Sequence, residues 1–291
     1  MHGMSLKLGV LCCLGAAQIY AADPTFLRRR IPDIQPKPSD LSTSTAHYRA
    51  VFGAGDADAR QLKGIARYGE LTVDAGGSSE TVSYPAEEQI YYILDGSGAL
   101  LYDGHEHPVK KNDFAYLPVG VKHGMANHSG GPVRLLVMGF KIPAGAKAPA
   151  PPAAQIANAD DVKLVELESH GPTALFKLLM GTTVSTRDKL SAASQMISLF
   201  IMDFAPGGTN IPHHHDTAEE IYYVLRGHGD MVAGGGESGN EGRHPAQEGD
   251  AYFIRLNTTV GFYAAQGPAT DPHALILAVR SMYPFPKNNG Q

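Results

Sequence analysis

The chain reads as an all-β protein: an extended N-terminal arm followed by two tandem copies of one strand-rich domain. Three observations predict this. First, 33 glycines and 20 prolines in 291 residues punctuate short apolar runs, the pattern of many strands joined by turns. Second, runs such as EQIYYILDGSGALLYD and EIYYVLRGHGDMV alternate and are rich in β-branched and aromatic residues, and no helical heptads occur. Third, the halves repeat. EEQIYYILDGSGALLYDG (87–104) lines up with EEIYYVLRGHGDMVAGG (219–235), and HPVKKNDFAYLPVGVKHGMAN (107–127) with HPAQEGDAYFIRLNTTVGFYA (244–264). A period this long implies duplicated domains rather than a solenoid.

Residues 1–21 carry Lys7, the apolar stretch LGVLCCLGAA and a small-residue exit at Ala21 and Ala22. They read as a signal peptide, too short in its apolar part to span a bilayer, and predict a secreted or periplasmic protein with no membrane span in the mature chain. Both cysteines, Cys12 and Cys13, lie inside this leader. A mature chain would therefore have no disulfide, no thiolate nucleophile and no Cys–metal site. Net charge is −5, and −6 without Lys7, which argues against a nucleic-acid partner.

Residues 22–61 mix polar, proline and glycine residues and are expected to form an arm that packs on a domain or on a neighbouring copy. The first copy occupies 62–143. An Ala/Pro-rich linker follows over 144–160, and the second copy fills 161–291.

The chemistry concentrates in Gly207 to Gly227, GGTNIPHHHDTAEEIYYVLRG. Side chains at i and i+2 of an extended segment share a face, so His213 and His215 can enter one cavity. Glu220 opens the next strand and can join them. Alternation puts Glu220, Tyr222 and Val224 on one face and Glu219 on the other. Two imidazoles and a carboxylate suit one divalent transition metal, Fe, Mn, Cu, Ni or Zn.

Gly207, His213, His215, Glu220 and Gly227 stand at the spacing of the first motif of the cupin superfamily, which this stretch resembles. The resemblance covers about residues 62–143 and 190–280 and implies two antiparallel cupin barrels (jelly-roll, or double-stranded β-helix) of six to eight strands each. The two copies depart from the family pattern in opposite ways. The first retains second-motif residues Pro118, Gly120, His123 and Asn127, but has Val82, Tyr84 and Gln89 in place of the two histidines and the glutamate. The second keeps its first motif, while its second motif reads Gly249, Arg255, Asn257, Val260 and Ala264, with valine at the fourth metal-ligand position. One metal is therefore expected, in the second barrel, and His123 is expected to be a hydrogen-bonded core histidine. His105 and His107 imitate a ligand pair without a carboxylate at the right spacing.

Three protein ligands leave open coordination positions, as in the two-His, one-carboxylate arrangement of non-haem iron oxygenases. Tyr222, Phe253, Met202, Phe204, Phe262 and Val260 are expected to line the interior, with Arg255 at the rim to hold a substrate carboxylate and Glu219 as a helper in catalysis. Two-barrel relatives in this family include quercetinase-like dioxygenases, oxalate decarboxylases and ureidoglycine aminohydrolase. The readings left open are an oxygenase-type metalloenzyme acting on a small oxygen-bearing organic substrate, a non-catalytic barrel binding a small acid or sugar, and a metal-dependent aminohydrolase or isomerase. The resemblance also implies a homodimer.

Overall fold

A computed structural model describes residues 24–285, apart from 147, 149, 150, 152 and 236–240. The leader and its two cysteines lie outside the described residues. The described chain is nearly all β, and its only helical elements are three-residue 3-10 turns. Ten strands make up the first half: β1 (Phe26–Arg30), β2 (Ala46–Gly53), β3 (Ile65–Val73), β4 (Glu87–Asp95), β5 (Ser97–Tyr102), β6 (His105–Lys110), β7 (Asp113–Leu117), β8 (His123–Ala126), β9 (Val133–Lys141) and β10 (Gln155–Asn158). Ten follow: β11 (Val165–Glu166), β12 (Ala174–Thr182), β13 (Leu190–Ala193), β14 (Met196–Phe204), β15 (Ala218–Arg226), β16 (His228–Gly234), β17 (Gly242–Gln247), β18 (Asp250–Ile254), β19 (Thr259–Ala264) and β20 (Ala274–Met282).

Each copy pairs a large sheet with a three-stranded one. The first copy joins β10-β7-β4-β9-β3-β2 to β6-β5-β8; the second joins β1-β18-β15-β20-β14-β12-β11 to β17-β16-β19. Two strands sit in the barrel that their place in the chain would not suggest. The arm contributes β1, which pairs along all five residues with β18 of the second barrel, and Arg28 reaches Asp250 at 2.8 Å. The segment read as linker contributes β10, which pairs with β7 of the first barrel. These strands cover edges that would otherwise present unpaired amides.

Strand alternation divides the apolar residues into three cores. Tyr91, Leu100, Met125 and Leu135 fill the first barrel, and Phe176, Phe200, Met202, Phe204, Tyr222 and Phe262 fill the second. The third lies between barrels, where Phe52, Tyr68 and Phe114 meet Ile221, Phe253 and Leu277. Phe253 was expected inside the second barrel. It pairs in register with Ile221 and shares its outward face, leaving Tyr252 and Ile254 to point inward.

Two buried carboxylates clamp this interface reciprocally. Glu88 of the first barrel accepts the backbone N–H groups of Ser194, Gln195 and Met196 at 2.7–2.8 Å. Glu219 of the second accepts those of Lys63, Gly64 and Ile65, the closest at 2.7 Å. Burial pushes both carboxyls above their usual range, opposed by the three amide donors at each.

Candidate metal centre

Residues 209–213 lie along β19. His213 exchanges both backbone hydrogen bonds with Val260, at 2.9 and 2.7 Å. Gly261 permits this approach, because a Cβ there would stand 2.9 Å from the Cα of Pro212. Ile211 sits at φ +54°, a left-handed conformation costing a β-branched residue about 1–3 kcal/mol. Its carbonyl oxygen accepts from Nδ1 of His213 at 2.9 Å. A carbonyl can only accept, so the proton is on Nδ1 and the lone pair on Nε2. That Nε2 is buried without a hydrogen-bond partner, as are Nε2 of His215 and Oε2 of Glu220.

The three residues converge, their ligand atoms all within 4.8 Å of one another. Nε2 of His215 and Oε2 of Glu220 approach to 3.3 Å, near in distance but not hydrogen-bonded. Neighbouring ligands of one metal bound at ~2.1 Å lie roughly 3.0–3.4 Å apart. Three buried ligand atoms without hydrogen-bond partners, gathered within 4.8 Å and with one pair already at ligand–ligand distance, fit a divalent transition metal, which would repay their lost solvation.

Protonation states agree. Burial holds His213 below the ordinary imidazole range, so it is neutral and able to ligate. For Glu220, burial pushes the pKa up, but Arg280, His215 and His213 outweigh it and hold the carboxyl below its usual range. Arg280 is the residue that the sequence reading missed. Its Nε donates to Oε1 of Glu220 at 3.0 Å, and its guanidinium lies 4.9 Å from the Phe200 ring centre. Only the register of β20, which pairs Arg280 with Glu220, reveals it.

The two residues proposed as catalytic fall elsewhere. Glu219 lies on the outward face of β15 and spends its carboxylate on the other barrel's amides, so the structure corrects its assignment as a helper beside the metal. Arg255 is drawn onto the arm, where Nη1 donates to the carbonyl of Pro24 at 3.2 Å and the backbone N–H to Thr25. His214 is exposed. His123 is buried in the first barrel, with Nδ1 on the Val121 carbonyl and Nε2 3.3 Å from Gln89. The two widest cavities described, each about 560 Å³, include none of His213, His215, Glu220 and Arg280.

The fold and this site define a class, a tandem β-barrel protein with a metal-type His/His/Glu group in one barrel. A cupin-domain family model matches residues 69–139 and 200–274, half of the chain, and the chain belongs to the cupin family. An uncharacterized protein of Methanocaldococcus jannaschii is 31% identical over 71 residues, which are 24% of this chain and 57% of that protein. Among solved structures, a Pseudomonas aeruginosa protein described as glyoxylate-induced is similar over 96% of both chains (TM-score 0.68, 17% identity). YlbA from E. coli is similar over 91% of this chain and 94% of its own (TM-score 0.65, 14% identity). Oxalate decarboxylase from Lactobacillus farciminis, in complex with formate, is similar over 90% and 87% (TM-score 0.63, 15% identity). At these identities the likeness establishes the two-barrel fold.

Proposed function

We propose that the protein is a metalloenzyme of oxygenase type, which converts a small oxygen-bearing organic anion at one metal centre in the second barrel. The observation that carries this reading is the convergence of three buried ligand atoms, from His213, His215 and Glu220, that have no hydrogen-bond partner. A metal bound there would supply Lewis acidity, open coordination positions and, for Fe, Mn or Cu, redox chemistry. Arg280 keeps Glu220 ionised, and its partly exposed guanidinium is the cation beside the group that can meet a substrate carboxylate. Phe176, Phe200 and Tyr222 belong to the buried core of the same barrel and give the group an apolar setting, in which a metal and its charged ligands interact more strongly than in water.

The likeness to oxalate decarboxylases supports a small carboxylate as substrate. Metal analysis of the purified protein tests the reading, followed by oxygen-uptake and carbon dioxide assays on a panel of short mono- and dicarboxylates. One equivalent of Fe, Mn or Cu with oxygen consumption supports it. Carbon dioxide release without oxygen consumption would move the assignment to decarboxylation, and the absence of stoichiometric metal after reconstitution would overturn it. Export rests on the 1–21 leader and is tested by N-terminal sequencing of the mature protein.

A further inference from the structure

The metal group has a gap. At the fourth-ligand position of the second motif stands Val260, fully buried and unable to coordinate. Beside the group stands an imidazole from outside both motifs. His170 ends the short 3-10 turn Glu168–His170 that precedes β12. Its ring centre lies 4.9 Å from that of His213, edge to face, while His213 and His215 are 4.8 Å apart. Two imidazoles bound to one metal at ~2.1 Å, with ring centres about 1.1 Å further out, have centres roughly 4.5–5.2 Å apart. Both measured separations fall in that window.

The hydrogen bonding repeats the pattern. Nδ1 of His170 is 3.2 Å from the carbonyl oxygen of Asn210, and Nδ1 of His213 is 2.9 Å from that of Ile211, the next residue. Two successive carbonyls thus fix two histidines in the same tautomer, with the proton on Nδ1 and the lone pair on Nε2. A ring N–H given to a backbone carbonyl is the usual support of a metal-bound histidine. The carbonyl pair is itself anchored. Asn210 is fully buried, its Oδ1 accepts from the Phe262 N–H at 2.8 Å, and its Nδ2 donates to the Tyr222 hydroxyl at 3.1 Å.

We propose that His170 is the fourth protein ligand of the metal held by His213, His215 and Glu220, taking the position that Val260 leaves vacant. The inference rests on the metal reading of that group. The ligand atoms of the other three are already gathered and that of His170 is not among them, so the 168–170 turn moves inward as metal binds. The site becomes three imidazoles and one carboxylate, with one imidazole recruited from a segment ahead of the barrel's main strands.

Cu(II) loading of the full-length protein tests this. Pulsed electron paramagnetic resonance counts coordinated imidazoles, and competition with a chelator gives affinity. Three imidazoles are expected in the wild type and two in His170→Ala, with affinity lowered at least ~10-fold. His170→Gln keeps the side-chain bulk and a donor for the Asn210 carbonyl, and it is expected to lose the same imidazole. Thermal unfolding of the metal-free proteins separates ligand loss from misfolding, and His214→Ala, an exposed neighbour, is expected to match the wild type. Two imidazoles in the wild type, with unchanged count and affinity in both His170 variants, would overturn the fourth-ligand assignment while leaving the three-residue site intact. A wild type that binds no Cu(II) would overturn both.

Discussion

The two barrels carry the same pair of residues in opposite places. In the second, His213 bridges Val260; in the first, Val82 bridges His123. The nearby arginine is exchanged as well. Arg280 of β20 faces Ser198 of β14, whereas the matching pair in the first barrel is Gly139 of β9 and Arg67 of β3. What differs is the fate of the polar atoms. In the first barrel Arg67 binds Glu87 at 3.0 Å, Asp40 at 3.0 Å and the Tyr84 hydroxyl at 2.9 Å, and Gln89 meets His123. That network is closed on itself, and among the described residues beside it the buried hydroxyls of Tyr48 and Tyr91 lack partners. In the second barrel three convergent acceptors have none. A metal-type site is thus recognised less by its histidines than by the unfinished hydrogen bonding around them.

The clamps should respond alike in both barrels, and this is the largest effect expected. Removing Glu88 or Glu219 leaves three backbone amides unpaired, two of them buried at about 1–3 kcal/mol each. Either Glu88→Ala or Glu219→Ala should therefore cost about 2–6 kcal/mol in chemical denaturation. A large loss in one and a negligible loss in the other would break the reciprocity.

The next effect belongs to the first barrel alone. Burial pushes the His123 imidazole down to about 4 from an ordinary 6.5. A depressed histidine pKa contributes stability that is present above the unfolded value and lost as pH falls through the folded one. The stability of wild type over His123→Gln in the metal-free protein should thus shrink by up to about 3 kcal/mol between pH 7 and pH 4. A difference flat in pH would show that His123 is not held neutral.

In the second barrel the corresponding experiment is metal binding. His213→Ala/His215→Ala should abolish stoichiometric metal, measured by elemental analysis, while His123→Gln retains it. Metal at about 100 times its dissociation constant should stabilise the wild type by about 2.7 kcal/mol and the double variant not at all. Because burial also depresses His213, protons should displace the metal only below the ordinary imidazole range. Release already at pH 7 would contradict the neutral assignment.

Much of this was legible in the sequence, for identifiable reasons. The duplication, the all-β class and the His213/His215/Glu220 face follow from period-two alternation and motif spacing, which are local. Alternation also placed Glu219 on the opposite face of β15, although its partners, the amides of residues 63–65, lie about 155 positions away and carry no side-chain signature. Phe253 was misplaced because its facing depends on cross-strand register with Ile221. Arg280 and His170 went unnoticed because neither belongs to a motif. One enters through the pairing of β20 with β15, the other through a carbonyl of Asn210, 40 residues away.

The smallest expected effect separates two arginines. Arg255 stands where the family motif has proline, which made it the sequence's candidate for a substrate carboxylate, yet its guanidinium bonds the Pro24 carbonyl on the arm. Arg255→Ala should leave metal affinity unchanged and stability within about 0.5 kcal/mol, the ordinary range for a surface substitution. Arg280→Ala removes the cation that keeps the buried Glu220 ionised, so it should weaken metal binding measurably, and more at low pH, where the carboxyl protonates more readily. Chelator competition on both variants at two pH values is sufficient. If Arg255→Ala weakened metal binding as much as Arg280→Ala, charge placement along β20 would not be what tunes the site, and the second barrel would differ from the first by its histidines alone.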